Sequence, residues 1–265
     1  MNKLAVSDCS PLTSNGDIGG VINGHRNSIN VGDILNLYGK VGSSSFEELS
    51  QLKQKTVELK KNQQFFSVCE GRADIFVLRE GWASLSHAAG ARGQDICNVF
   101  MPGDIIGLRE SFFENHDVVI HSVTDCEFLK VSAEGLHKLF KNNDEIRNAI
   151  ISYVMINDNI TLERLRSCTH HRSEGRVAHF LLEIYFRFKF KGLLEGDVFD
   201  FSITQEVVGE LLGITSVHVS RCMTALEQKK YIRKTRNSIK LLEPEEMARN
   251  TGFDRDFIYG CVCLN

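Results

Sequence analysis

Between residues 204 and 236 lie seven side chains suited to reading a nucleic acid duplex: Thr204, Thr215, Ser216, His218, Ser220, Arg221 and Arg236. An arginine guanidinium is a planar fork of donors that matches O6 and N7 of guanine. Hydroxyl and imidazole groups bond to base edges or phosphate oxygens. The surrounding charge agrees. From 204 to 241 there are seven basic residues (Arg221, Lys229, Lys230, Arg233, Lys234, Arg236, Lys240) and three acidic ones (Glu206, Glu210, Glu227), so 7 − 3 = +4. The whole 265-residue chain has 31 basic and 34 acidic residues, a net −3. A localised positive face on a slightly acidic chain suits phosphate contact.

Such residues need a rigid carrier, and the local pattern predicts one. Thr204 precedes Gln205 and Glu206, a helix start with an acceptor side chain and an acidic first turn. Val207, Val208, Leu211 and Leu212 give that helix a buried face, and Gly213 ends it where a left-handed residue is required. Thr215 caps a second helix with Val217, Val219, Met223 and Leu226 at apolar positions. Ser216, His218, Ser220, Arg221 and Thr224 fall on its other side. Two short helices joined by a tight glycine turn form a helix-turn-helix, whose second helix fits a major groove about 12 Å wide. The stretch Tyr231–Leu241 reads as a hairpin whose tip, near Arg236 and Asn237, is a basic wing.

Upstream, residues 57–131 alternate short apolar runs with Gly, Asn and Asp. Six strands are predicted: 64–68, 74–78, 82–86, 96–100, 118–122 and 127–131. Strands at this spacing indicate a β sandwich or barrel-like roll. From 133 to 167 the period becomes helical. Ile146, Ile150, Tyr153 and Ile160 form a stripe sustained over about 144–166, and a stripe of that length predicts helix–helix self-association, a homodimer. Arg164, Arg166, His170, His171 and Arg172 make a basic hinge, followed by a capped amphipathic helix over 173–184 and a loop to about Asp200. Five segments result: an arm over 1–45, a β-roll sensor over 46–135, a dimerisation helix over 136–168, a winged helix-turn-helix over 169–245 and a tail over 246–265. The arm, with its loose Asn15–Gly20 stretch, is expected to be poorly ordered. The alternative is that it packs on the next domain through Ile29, Val31, Ile34 and Leu35.

Composition narrows the class. Eight scattered cysteines without a C-x-x-C pair argue against a secreted disulfide scaffold and a zinc ribbon. No signal peptide and no run of about 18 apolar residues occurs, so a cytoplasmic protein without a membrane span is expected. No G-x-S-x-G, H-E-x-x-H or P-loop pattern appears, and the expectation is a protein that is not an enzyme.

The combination resembles the cyclic-AMP receptor protein/fumarate-nitrate regulator (CRP/FNR) family of bacterial transcription factors, over about residues 45–245. Glu70-Gly71, Ile75, Val77-Leu78, Gly81 and Leu85 resemble the family's β-roll hairpin, and Pro102–Gly107 its glycine turn. Thr204–Arg221, with Gly209, Leu212-Gly213 and Val219-Ser220-Arg221, resembles its helix-turn-helix. The resemblance implies an α+β fold: a cyclic-nucleotide-binding-like β-roll, a long dimerisation helix and a C-terminal winged helix-turn-helix. It further implies a homodimer on an inverted-repeat operator in double-stranded DNA, with RNA polymerase as a partner. Arg221 takes the place of the guanine-contacting arginine, Ser220 that of a base contact in the oxygen-sensing branch, and Thr204 that of a phosphate contact. Val217 departs from the glutamate common at its position, leaving the half-site sequence open. His218 is a candidate base or phosphate contact.

What the sensor senses is open. Cyclic-nucleotide members place Gly-Glu on the ribose and Arg-Ser/Thr on the cyclic phosphate. Here Gly107 is followed by Leu108, Arg109 and Glu110, and the phosphate segment contains Val118 and Val119 without an arginine. Cyclic AMP is therefore disfavoured, since a buried phosphate needs its cation. The same five residues, Gly107, Arg109, Glu110, Val118 and Val119, are a candidate pocket for another effector. Cys9 stands alone in the arm, against an iron–sulfur cluster. His87, His116 and His121 are candidate haem ligands, and Cys222 is a candidate redox-active thiol whose position favours burial. Cys261 and Cys263 are exposed candidates with no evident partner. The competing class is a ligand-binding β-roll module that acts through a protein partner, which requires the basic face to be incidental.

Overall fold

The computed structural model describes residues 29–66, 68–69, 72–87, 95–113, 118–260 and 262–264. It opens on helix α1 (Val31–Tyr38), started by a capping box. Asn30 Oδ1 accepts from the Gly32 and Asp33 N–H groups, and the Asp33 carboxylate accepts from the Asn30 N–H. Ile29, Val31, Ile34 and Leu35 are fully buried, so this part of the arm packs on the body of the protein. The Asn15–Gly20 stretch lies outside the described residues. Helix α2 (Ser43–Ser50) follows.

The β-roll contains β1 (Gln54–Leu59), β2 (Gln64–Phe66), β3 (Val68–Cys69), β4 (Arg72–Ala73), β5 (Ile75–Glu80), β6 (Ala83–His87), β7 (Asp95–Phe100), β8 (Ile105–Ile106), β9 (Val118–Ser122) and β10 (Cys126–Val131). Two antiparallel four-stranded sheets, ordered β1-β10-β5-β8 and β2-β9-β6-β7, face each other. Their inner faces interleave Phe76, Leu78, Ile106 and Phe128 from one sheet with Ala83, Phe100 and Ile120 from the other. Alternation along each strand sends the neighbours, such as Ile75, Val77 and Leu129, to the opposite face and the larger core. Strand β1 was not among the expected strands, because its charged and polar residues mask the alternation.

Helices α3 (Ala133–Asn142), α4 (Asp144–His170) and α5 (Ser173–Phe190) come next. Here two expectations are corrected. Ile146, Ile150, Tyr153 and Ile160, the expected self-association stripe, are all buried within their own chain. Tyr153 donates its hydroxyl to Ile105 O at 2.9 Å, and its ring meets Tyr38 of α1 at 4.8 Å. That stripe therefore joins α4 to α1 and the roll. The exposed apolar residues of α4 are Met155 (47% exposed), Leu162 (47%) and Leu165 (58%).

Helix α5 also differs from its sequence reading. It runs to Phe190 and is buried on all sides, from Val177 through Phe188. Its N-cap is Arg172, with no side-chain cap bond. The aromatic run Tyr185–Phe190, mixed with Arg187 and Lys189, hides a helical segment that simple amphipathic counting ends early.

The C-terminal domain consists of β11 (Val198–Asp200), α6 (Gln205–Leu212), α7 (Ser216–Gln228), β12 (Ile232–Lys234) and β13 (Ser238–Leu241), in a sheet ordered β11-β13-β12. Helices α8 (Pro244–Thr251) and α9 (Arg255–Ile258) close the described chain, packed on α5 and α4 respectively. Cys263, for which the sequence points to no partner, is disulfide-bonded, and Cys261 lies outside the described residues. No helix of the described residues is long and apolar enough to cross a membrane.

Charge fastens the two halves together. Arg187 and Lys191, both buried, donate to the Asp104 carboxylate at 2.6 and 2.5 Å, and Arg164 of α4 grips Glu183 of α5 at 2.6 and 2.9 Å. Burial alone would raise the Asp104 carboxyl; the Arg187 and Lys191 cations outweigh it and hold it below the usual carboxylate range.

Candidate nucleic-acid interface

Thr204 and Thr215 start the two short helices as expected. Thr204 Oγ1 accepts from the Val207 N–H, and Thr215 Oγ1 accepts from the His218 N–H, both at 3.3 Å. Gly213 sits at φ +65°, the left-handed conformation that turns the chain between α6 and α7. Gly209 permits the close approach of that turn. A Cβ there would lie 2.6 Å from Ile214 O, against backbone that has no room to give.

Helix α7 buries Val219, Cys222, Met223 and Leu226 toward the core. Its opposite side exposes Val217, His218, Arg221 and Thr224. Val217 is a correction: read as an apolar core position, it is 58% exposed and stands one turn from Arg221 on the outer face. Ser216 and Ser220 are half-buried beside that face. The His218 ring nitrogen Nδ1 lies 3.0 Å from Thr215 Oγ1, which aligns the imidazole at the helix start.

The wing is a β12–β13 hairpin. Thr235 and Ser238 brace its turn through hydroxyls 2.6 Å apart, leaving Arg233, Lys234, Arg236 and Lys240 exposed. Not every basic residue is free for a ligand. Lys229 pairs with Glu174 at 2.5 Å. In the expected basic hinge, Arg164 is consumed by Glu183 and Arg166 by Glu163. The positive face is narrower than the sequence implied and centres on α7 and the wing.

The candidate effector residues are less coherent. Gly107 and Glu110 are buried, whereas Arg109 is mostly exposed, 3.4 Å from the Glu110 carboxylate with its guanidinium 5.4 Å from the Phe113 ring centre. Val119 is buried and Val118 half-buried on β9. Among the candidate haem ligands, His87 is exposed, His121 bonds Ser86 Oγ at 2.9 Å, and His116 lies outside the described residues. The Cys222 thiol is buried, and that burial pushes its pKa up, which disfavours the thiolate. Cys9 lies outside the described residues.

Sequence reasoning missed the groups that seat this domain. Trp82 of the roll, the chain's single tryptophan, donates its indole N–H to Asp200 Oδ2 at 2.5 Å, just before the helix-turn-helix. Its ring packs near Phe188 and Phe201. A lone tryptophan opening the predicted 82–86 strand was the available signal.

Comparison with known proteins agrees with this layout. A family model of the Crp-like helix-turn-helix domain matches residues 175–249, and one of the cyclic nucleotide-binding domain matches residues 56–143. The transcriptional activator protein Anr of Pseudomonas protegens is 19% identical over 78% of this chain and 84% of its own. The transcriptional activatory protein AadR of Rhodopseudomonas palustris is 24% identical over 80% and 87%. Among solved structures, FixK2 from Bradyrhizobium japonicum superposes with a TM-score of 0.65 at 17% identity, covering 75% of this chain and 97% of its own.

Proposed function

The chain belongs to the CRP/FNR family of transcription regulators, and from that premise we propose that it binds an inverted-repeat operator as a homodimer and contacts RNA polymerase from that position. The observation that carries this reading is the outer face of α7, where Arg221 stands exposed between Val217 and Thr224 with the basic wing alongside. Arg221 is assigned to a guanine, through O6 and N7. Val217, apolar and exposed, suits a thymine methyl better than the hydrogen-bonding edge a glutamate would read. Thr204, Thr215, Ser216, His218, Ser220 and Arg236 supply the remaining base and phosphate contacts.

The dimer is assigned to the exposed face of α4. Ile151, Met155, Asp158, Leu162 and Leu165 recur at alternating spacings of four, three, four and three, the period of a two-stranded coiled coil. This seam replaces the buried stripe. Two-fold symmetry through it sets the paired α7 helices about one duplex turn apart, ~34–36 Å.

Cyclic AMP is not the effector in this reading. The roll interior is packed with Phe76, Phe100, Ile120 and Phe128, and the stretch that resembles the family's phosphate segment offers Val118 and Val119 without an arginine. Selection from a random double-stranded DNA pool tests the proposal. It should return an inverted repeat whose affinity falls steeply with salt. Failure to enrich any sequence, with salt-insensitive behaviour on DNA, would instead favour a module that acts on a protein.

A further inference from the structure

The C-terminal extension beyond the wing is firmly built into the molecule. Phe253 stacks on Phe186 at 5.3 Å, and Tyr259 stacks on Phe190 at 4.7 Å. Hydrogen bonds from Asn159, Glu163 and Arg166 tie the extension to α4. Asn159 Nδ2 donates to Phe257 O at 3.1 Å, Glu163 accepts from the Asp254 N–H at 3.2 Å, and Arg166 donates to Gly252 O at 2.5 Å. Residues 159, 163 and 166 form the row of α4 adjacent to the Met155, Asp158, Leu162 and Leu165 seam. The extension therefore lies alongside that seam.

Its apolar residues are not all turned inward. Ile258 and Tyr259 are buried, but Phe257 between Asp256 and Ile258 is 47% exposed, at the point where Asn159 holds the backbone. Among the described residues seven large hydrophobics are exposed, and four of them (Met155, Leu162, Leu165 and Phe257) belong to α4 or the segment pinned against it. Scattered exposed apolar residues are ordinary, whereas a contiguous group marks an interaction surface.

We propose that Phe257 and the α9 segment are part of the dimer interface, widening the α4 seam against a second copy of this chain. The inference rests on the α4 dimer reading given above. Two arguments select a second copy as the occupant. The adjoining seam has the 3.5-residue period that a copy of the same helix satisfies. That seam is also thin, since Asp158 interrupts its apolar positions, and a stable interface buries about 800 Å² per partner. An aromatic ring at its margin supplies area that the seam lacks.

Sedimentation equilibrium of the full chain tests this with three variants. Phe257→Ser should raise the dimer dissociation constant by about tenfold, without lowering the melting temperature measured below the dimerisation range. Phe257→Leu should stay within about twofold of wild type, and Leu162→Glu should be monomeric. A dimer constant unchanged in Phe257→Ser, with Leu162→Glu monomeric, would exclude the extension from the interface and leave the seam standing. A wild-type monomer, or a Leu162→Glu variant that still dimerises, would remove the α4 reading and this inference with it.

Discussion

Arg187 of α5 donates to Asp104 of the roll's Pro-Gly-Asp turn at 2.6 Å, with both side chains at most 4% exposed. Eighty-three residues separate them in sequence, and they join the β-roll to the first helix of the C-terminal half. Lys191 bonds the other carboxylate oxygen at 2.5 Å, so one acid holds two buried cations. Such a cluster specifies an arrangement more than it stabilises one, because desolvating each ion offsets most of the attraction.

Removing the acid is therefore expected to be severe. Asp104→Asn leaves Arg187 and Lys191 buried with less than one compensating charge, a loss of about 3–5 kcal/mol. Urea denaturation would register this as a lower midpoint. A loss below about 1 kcal/mol would place the cluster in solvent, contrary to its burial.

Acid should weaken the fold in two stages. Burial depresses the pKa of His179 and, to a lesser extent of burial, His121. From about pH 6.5 downward the unfolded chain takes up protons that the folded chain refuses, so stability falls as pH falls. Asp104, Glu163 and Glu183 follow. Burial would raise these carboxyls, but Arg187 and Lys191, Arg166, and Arg164 respectively outweigh it and hold them below the usual range. Their stabilisation is complete above about pH 4 and disappears as pH drops through the folded values. Calorimetry should show a melting temperature that declines gently below about pH 6.5 and steeply below about pH 4. His179→Gln should flatten the upper decline; a melting temperature constant from pH 7 to 4 would contradict the assignment.

Trp82 and Asp200 make the second tie between the halves. Replacing the indole by phenylalanine keeps a smaller aromatic ring but deletes the donor to a carboxylate, and the lost bond alone costs about 1.5–3 kcal/mol. A double-mutant cycle of Trp82→Phe with Asp200→Asn should show coupling of at least about 1 kcal/mol. Additive effects would mean that the two groups do not interact in solution.

Arg221 carries the clearest functional expectation. Arg221→Ala should cost about 1–3 kcal/mol of specific binding and relax base choice at one position of each half-site. Arg236→Ala, at the wing tip, should weaken binding evenly across sequences and reduce the salt dependence by about one counterion. Gel-shift titrations at several salt concentrations distinguish the two. Unchanged affinity and selectivity in Arg221→Ala would remove it from the reading face.

Local chemistry was legible without coordinates wherever neighbours in sequence do the work. Thr204 and Thr215 each accept from an N–H three residues on, Gly213 needs only its own φ, and the roll's longer apolar strands, unlike β1, announce themselves by alternation between turn residues. These features depend on backbone geometry over four or five residues, which the residue types alone determine. Orientation was another matter. Helix α4 is apolar on two sides, and periodicity cannot say which side meets α1 and the roll and which stays exposed; only packing decided that Ile146 and Tyr153 turn inward while Met155 and Leu162 face out. Val217 likewise sits within helical reach of the buried row, and its exposure depends on how α7 is rolled against α5 and α6. The Asp104–Arg187–Lys191 cluster and the Trp82–Asp200 bond join residues 83 to 118 positions apart. Charges that distant acquire their meaning only when the chain's closure removes water from between them.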